Sequence, residues 1–200
     1  MTYIESVEEL EALYGEINPN SKAKIVRQIT PLYRKWIEAS RFLILSTVGP
    51  EGTDASPRGD DGPVVRIVDE TTVMLPDWRG NNLTDSLHNI VRDERVSLMF
   101  MVPGANNVVR LNGRAKLSID PDITNSFEQD GKHPKSVAVI TLEAIYFQCA
   151  KALMRSKLWT SGDESTGLPT AGQFVKEVKA DFDAEAYDSG YAEYAKGRMW

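Results

Sequence analysis

Hydrophobic positions along the chain change their period twice. Near the N-terminus the spacing is helical: Ser6 followed by Glu9 is a capping-box pattern, and Leu10, Leu13 and Tyr14 supply a short apolar face behind it. A second helical stretch is predicted from about Ser21, with Ile25, Ile29, Leu32, Tyr33, Trp36 and Ile37 recurring every third or fourth position. Pro31 interrupts this pattern. With Thr30 as N-cap it predicts a kink or a two-part helix, because a proline in a first turn forfeits no hydrogen bond.

From Arg41 onward the pattern is that of strands. Phe42–Val48 is a dense apolar run closed by Gly49-Pro50-Glu51-Gly52, after which Thr53–Ser56 is predicted to pair back as a hairpin. Val64–Val68 and Thr72–Leu75, separated by Asp69-Glu70-Thr71, predict another hairpin. Val96–Val102, Val108–Ile119 and Val137–Gln148 bring the strand candidates to about seven. Gly113, inside the longest of these runs, predicts a bulge or a close backbone approach. Between strands, Leu83, Leu87, Ile90 and Val91 have helical spacing, with Asn81 and Asn82 as cap candidates. Short strands clustered in the middle of the chain favour an antiparallel barrel over a doubly wound parallel sheet.

After Cys149 the chain turns helical again. A Ser/Thr/Gly-rich loop is predicted from Thr160 to Gly172, and from Gln173 the residues Phe174, Val175, Val178, Phe182 and Tyr187 stand among acidic neighbours. That tail reads either as a surface helix or as an arm against a second subunit. The divisions expected are N-terminal helices over 1–40, a barrel over 41–159 and a helical tail over 160–200, within one domain overall.

Composition narrows the function classes. A net charge of −6, from 23 Lys and Arg against 29 Asp and Glu, argues against a dedicated nucleic-acid partner while leaving room for a local basic pocket. One Cys and two His exclude an intrachain disulfide and a Cys/His zinc site, so no metal is expected. The start is polar and acidic, unlike a signal peptide. The longest apolar runs, Phe42–Leu45 and Val96–Val102, fall short of the roughly 20 residues that span a bilayer. A cytoplasmic protein without a membrane partner is the expectation.

Four segments carry candidate chemistry. In Ser56-Pro57-Arg58-Gly59-Asp60-Asp61-Gly62, Arg58 is suited to a bidentate hold on a phosphate; alternatively the segment is a surface loop whose Arg and Asp pair with each other. Leu75-Pro76-Asp77-Trp78-Arg79-Gly80-Asn81-Asn82 runs from a strand end into a helix containing Asp85, Ser86 and Asn89. Free N–H groups there can receive an anion, with Arg79, Asn81, Asn82 and Ser86 adding donors. Plain helix capping is the alternative, although it needs only one asparagine. In Val109–Ala115, strand alternation puts Arg110, Asn112 and Arg114 on one face, which is solvated, lines a subunit groove or meets an anion. In Cys149–Trp159, Lys151 and Arg155 share a helix face near Ser156 and Trp159. The two cations repel unless an anion sits between them, the alternative being a solvated basic helix end.

Together these segments resemble the pyridoxamine 5'-phosphate oxidase-like superfamily of FMN-binding split barrels. The likeness is to its subgroup of FMN-dependent enzymes with an SPRGD segment, an RGNN-x-x-DSL-x-N helix start, an R-x-NGRA strand and an RSKLW ending. Here these are Ser56–Asp60, Arg79–Asn89, Arg110–Ala115 and Arg155–Trp159, in order over about Phe42 to Trp159. The resemblance implies a mainly β fold, a six-stranded antiparallel split barrel with flanking helices, forming a homodimer with FMN at the interface. It assigns the FMN phosphate to Arg58, Asn81, Asn82 and Ser86, with Ser56 and Arg79 beside them. Leu75, Pro76 and Asp77 match the strand end along the isoalloxazine ring. Lys151, Arg155, Ser156 and Trp159 match the segment that closes over the site from the other subunit. The oxidase's Arg-x-His pattern has no counterpart in Leu153-Met154-Arg155-Ser156, and neither His88 nor His133 matches its histidine. Vitamin B6 oxidase activity is therefore disfavoured, and no catalytic acid or base is identified.

Three functions follow, from different classes: an FMN-dependent oxidoreductase on an unidentified small molecule, a flavin-binding sensor or store without turnover, and a split barrel holding haem or a deazaflavin.

Overall fold

The computed structural model describes all 200 residues, Met1–Trp200. The strands form where apolar residues alternate or run continuously: β1 (Phe42–Gly49), β2 (Gly52–Gly59), β3 (Arg66–Ile67), β4 (Thr72–Asp77), β5 (Arg95–Met101), β6 (Val108–Ser118) and β7 (Ser136–Gln148). They make one antiparallel sheet in the order β2-β1-β5-β6-β7-β4-β3. The expected six strands are thus seven, the extra one being the two-residue edge strand β3. Leu43, Leu45, Val73, Leu98, Phe100, Leu111, Ile140 and Ile145 from the central strands fill one core. Each such side chain contributes about 1.5–3 kcal/mol when fully buried.

The long pairing of β6 with β7 holds a register shift between Asn112 and Gly113. The predicted close approach is there: a Cβ on Gly113 would run into the Thr141 carbonyl oxygen, so no larger residue fits without moving backbone.

Eight helices flank the sheet: α1 (Val7–Tyr14), α2 (Pro19–Ala23), α3 (Pro31–Ala39), α4 (Asp85–Arg92), α5 (Pro121–Thr124), α6 (Lys151–Ser156), α7 (Ala171–Val178) and α8 (Ala184–Lys196). Ser6 caps α1, its Oγ accepting from the Glu9 N–H at 3.1 Å, while the Glu9 carboxylate accepts from the Glu5 N–H at 2.9 Å. No residue of α1 or α2 is buried. The predicted helix from Ser21 does not continue to Ile37. Between α2 and α3 the chain is extended, with Val26 bridging Ile145 and the Ile29 N–H donating to the Glu70 carbonyl. The backbone groups of this stretch find partners on the sheet rather than within a helix turn. Helix then resumes at Pro31, behind Thr30, as the proline predicted.

The hydrogen-bonded ladder does not close: β2 lies at one end, and β4 with β3 at the other. Side chains nevertheless bring the two ends together. Arg58 on β2 pairs with Asp77 on β4 at 2.6 Å, and the Trp78 indole N–H donates to Asp60 at 2.8 Å. The sheet is therefore curled, and where its ends meet without backbone pairing a cleft opens.

Candidate functional site

The Ser56–Gly59 segment is a strand end, so the surface-loop alternative does not hold for it. β2 continues in register with β1, placing Leu43 opposite Arg58 and Ile44 opposite Pro57. Pro57 is tolerated because β2 is an edge strand and needs no second partner for its backbone. Alternation turns Asp54, Ser56 and Arg58 to the half-buried face. Arg58 and Asp77 are 21% and 23% exposed, so their ion pair lies at the floor of the cleft rather than in open solvent. One guanidinium Nη holds Asp77, while the buried Nε has no hydrogen-bond partner. A buried donor left unpaired costs free energy, so it is a place where a further acceptor is wanted.

Past β4 the chain bends through Trp78–Thr84 before α4 begins. The cap of α4 is Thr84, not Asn81 or Asn82. Asn82 takes a left-handed conformation, φ 62°, which asparagine tolerates better than most residues. Asn81 uses its Oδ1 to accept from the Leu83 N–H at 2.9 Å, keeping its amide donors outside that turn. Neither asparagine caps the helix, and both line the cleft with Arg79.

The cleft has a volume of about 1490 Å³. Of the sequence-predicted residues it gathers Ser56, Arg58, Leu75, Pro76, Asp77, Arg79, Asn81 and Asn82. Ser86 is not among its lining: it is buried in α4, and its hydroxyl donates to the Asp54 carboxylate. It ties α4 to the Gly52 end of β2, away from Arg58.

Lys151, Arg155, Ser156 and Trp159 lie elsewhere in the chain's own fold. They follow the Gln148 end of β7, whereas Asp77 pairs with the Ser136 end. Those ends are separated by roughly 40 Å of extended strand. Lys151 and Arg155 are exposed, Ser156 bonds the Leu153 carbonyl, and the Trp159 indole donates to the Ala105 carbonyl at 2.9 Å. The Arg110–Arg114 face has partners within the sheet: Arg110 with Gln148, Asn112 with Ser97, and Arg114 with Glu143 at 2.9 Å.

Outside the cleft lining, Asp60 accepts from Trp78 and from Gln129 at 3.0 Å, locking the SPRGD end to the bend. Several cleft residues have no sequence-predicted role. His133 lines the cleft with its Nδ1 at 2.6 Å from the Phe127 carbonyl. A carbonyl only accepts, so Nδ1 carries the hydrogen. The opposite wall is α8, which presents Tyr187, Tyr191 and Tyr194, with Arg198 just beyond its end. Their helical spacing was legible as a face, but nothing local announces what a surface helix will cover. Trp200, beyond α8, meets Trp78 edge to face with centroids 5.5 Å apart.

No curated protein sequence matches the chain. Among solved structures, a single-residue variant of HupZ from Group A Streptococcus matches with a TM-score of 0.51 at 18% identity, over 60% of this chain and 99% of that one. HupZ itself, from the same organism, matches at TM-score 0.48 and 19% identity over 58% and 91%. An FMN-binding protein from Syntrophomonas wolfei subsp. wolfei matches at TM-score 0.44 and 14% identity over 58% and 88%. Residues 29–149 match the family model for pyridoxamine 5'-phosphate oxidase, a span that takes in the sheet and the bend but stops short of α6 and the tail. The chain belongs to the pyridoxamine 5'-phosphate oxidase family.

Proposed function

We propose that this protein is an FMN-binding flavoprotein, an FMN-dependent oxidoreductase acting on a small molecule in the cytoplasm. In this reading the curled sheet is the split barrel of the family, and the protein works as a homodimer. The observation that carries it is the Arg58 guanidinium at the cleft floor, with a buried Nε lacking a partner beside Arg79, Asn81 and Asn82. A phosphate dianion needs converging cations and neutral donors, and this donor set fits it. Asp77 fixes the guanidinium plane through one Nη and leaves the other donors of the fork to the ligand. The Ser56 hydroxyl lies on the same half-buried face of β2. Leu75 and Pro76 offer a buried apolar edge for a flat ring system. When bound, FMN would supply the hydride and electron transfer, leaving the chain to bind, orient and exclude water.

Lys151, Arg155, Ser156 and Trp159 are assigned to the partner subunit's site. Their distance along β7 from Asp77 supports a contribution across the dimer rather than within one chain. Mixing Arg58→Ala protein with Arg155→Ala protein is then expected to restore FMN binding to about one site per mixed dimer. No recovery beyond the two separate variants would remove the α6 residues from the partner's site.

The primary test is the absorbance spectrum of the purified protein, followed by anaerobic addition of NADH or NADPH. Flavin bands that bleach support the oxidoreductase. Flavin bands that persist with every donor tried move the reading to a non-catalytic flavin protein. A Soret band, or no uptake of added FMN, overturns the flavin assignment.

A further inference from the structure

The cleft is larger than one cofactor needs. Its 1490 Å³ exceeds the roughly 300–1,000 Å³ of an ordinary small-molecule pocket. Its charge is also at odds with the rest of an acidic chain. Arg58, Arg79, Lys132, Lys135 and Arg198 line it against one acid, Asp77, which is already paired with Arg58. Arg58 and Arg79 belong to the sheet side, Lys135 precedes the Ser136 that pairs with Asp77, and Lys132 reaches the Gly197 carbonyl beside Arg198 at the end of α8.

The cleft face of α8 is sorted by chemistry. It carries Tyr187, Tyr191 and Tyr194, followed by Arg198 just past the helix, but no acid, although the helix contains Glu185, Asp188 and Glu193. Asp188 is turned to α7, accepting from Thr170 and the Gly172 N–H, and Glu193 pairs with Lys196. The three tyrosines are 40%, 52% and 59% exposed, far more than aromatic rings that serve as core. Tyr187 and Tyr191 have centroids 5.8 Å apart, and the Arg198 guanidinium lies 4.2 Å from the Tyr194 ring centroid. Its Nη1 donates to the Tyr194 hydroxyl at 3.2 Å, which leaves the Nε–Nη2 edge for a planar two-oxygen acceptor. This wall has no serine, threonine or backbone nest of the kind a phosphate uses.

Gly190 adds an independent sign. It sits inside α8, where glycine weakens a helix relative to alanine, yet nothing lies within 4 Å of where its Cβ would be. Packing within the chain does not require it. The space over Gly190, beside the Tyr187–Tyr191 pair, is open to the cleft.

We infer that the α8 wall is a second binding subsite in the cleft, for an aromatic carboxylate whose ring lies over Gly190 against the tyrosines and whose carboxylate meets Arg198. The inference rests on the flavin reading, since this ligand is the molecule that shares the cleft with the cofactor. It assigns substrate recognition to the tail, outside the matched family span.

The test is equilibrium dialysis of 4-nitrobenzoate and its neutral analogue 4-nitrobenzamide against the full-length protein, with and without added FMN. FMN uptake is read separately by absorbance, so a failed flavin reading is seen as such. The carboxylate should bind at least fivefold more tightly than the amide. Arg198→Gln and Tyr191→Ala should each cost fivefold or more in carboxylate affinity and leave FMN affinity within twofold. Lys196→Gln, which removes the same charge from another face of α8, should change neither. Gly190→Ala should raise the urea midpoint and weaken carboxylate binding, an opposition that a purely structural face would not produce. Equal affinity for acid and amide, or Arg198→Gln without effect, overturns the subsite. So does dissociation of the protein into smaller species by Tyr191→Ala, which would make this face a subunit contact.

Discussion

The two walls of the cleft are held by different means. On the sheet wall, Arg58 and Asp77 sit at fixed register positions, opposite the buried Leu43 and Ser136. Displacing either residue would break ladder hydrogen bonds and open the core. On the α8 wall, Ala184 alone is buried, and the helix is retained by the Trp78–Trp200 contact, the Asp188 links to α7 and the Lys132 hydrogen bond to the Gly197 carbonyl. A wall built on register suits an invariant cofactor, and a wall built on a few surface contacts can change its ligand without disturbing the fold.

The comparison breaks most sharply at Arg58. Arg58→Ala should weaken FMN binding by about 1.5–3 kcal/mol, the scale of a charged hydrogen bond, in a fluorescence titration. Unchanged affinity would take the cofactor away from the sheet wall. Next is Gly113→Ala, which drives a methyl group against the Thr141 backbone and should cost about 1–3 kcal/mol in urea unfolding, since neither strand can retreat. A neutral result would mean that the β6–β7 register is softer than the wall it supports.

Trp200→Ala tests the other wall. Losing the edge-to-face contact with Trp78 should release about 0.5–1.5 kcal/mol of docking, seen as faster hydrogen exchange in α8 with an unchanged urea midpoint for the sheet. A matching fall in the midpoint would show the two walls to be one cooperative unit. The smallest effect concerns Asp93, at the junction of α4 and β5 behind the sheet wall. Hydrogen bonds from the Arg95 side chain hold its carboxyl down to about 2, against an ordinary 3.8. A lowered carboxyl stabilises only when ionised, so its contribution is full above 3.8 and fades as pH falls toward 2. Asp93→Asn should therefore be slightly less stable than the parent protein at neutral pH, with the gap closing in acid. A gap that persists to pH 2 would assign it to something other than the ionised pair.

Much of the sheet was legible because strand signals are local. The run Phe42–Val48 with its Gly-Pro turn, the Asp69-Glu70-Thr71 hairpin and the bulge at Gly113 each follow from a few neighbouring residues. The misreadings were also local in cause. Ile25 and Ile29 fit a helix period, yet the sheet offered their segment hydrogen-bond partners at Ile145 and Glu70, and tertiary pairing prevailed over pattern. For Ser56–Gly59 a surface loop is the alternative on sequence because proline and glycine usually end a strand, whereas at a sheet edge they need not. Asn81 and Asn82 looked like caps until Thr84 took that role.

The residue types of the site, and the four segments that carry the family likeness, were determined by the sequence alone, because each is a contiguous stretch with its own chemistry. Which of them share a cleft was decided only by the tertiary structure. Arg58 meets Asp77 across the two ends of a curled seven-stranded sheet, and no local signal reports how far a sheet curls. The same holds for α8. Its tyrosines share a face by helical period, with Arg198 just past its end, but that face acquires a role only when Trp200 docks on Trp78 and sets the helix over the cleft. Period follows from the backbone of one segment, and proximity follows from the packing of all of them.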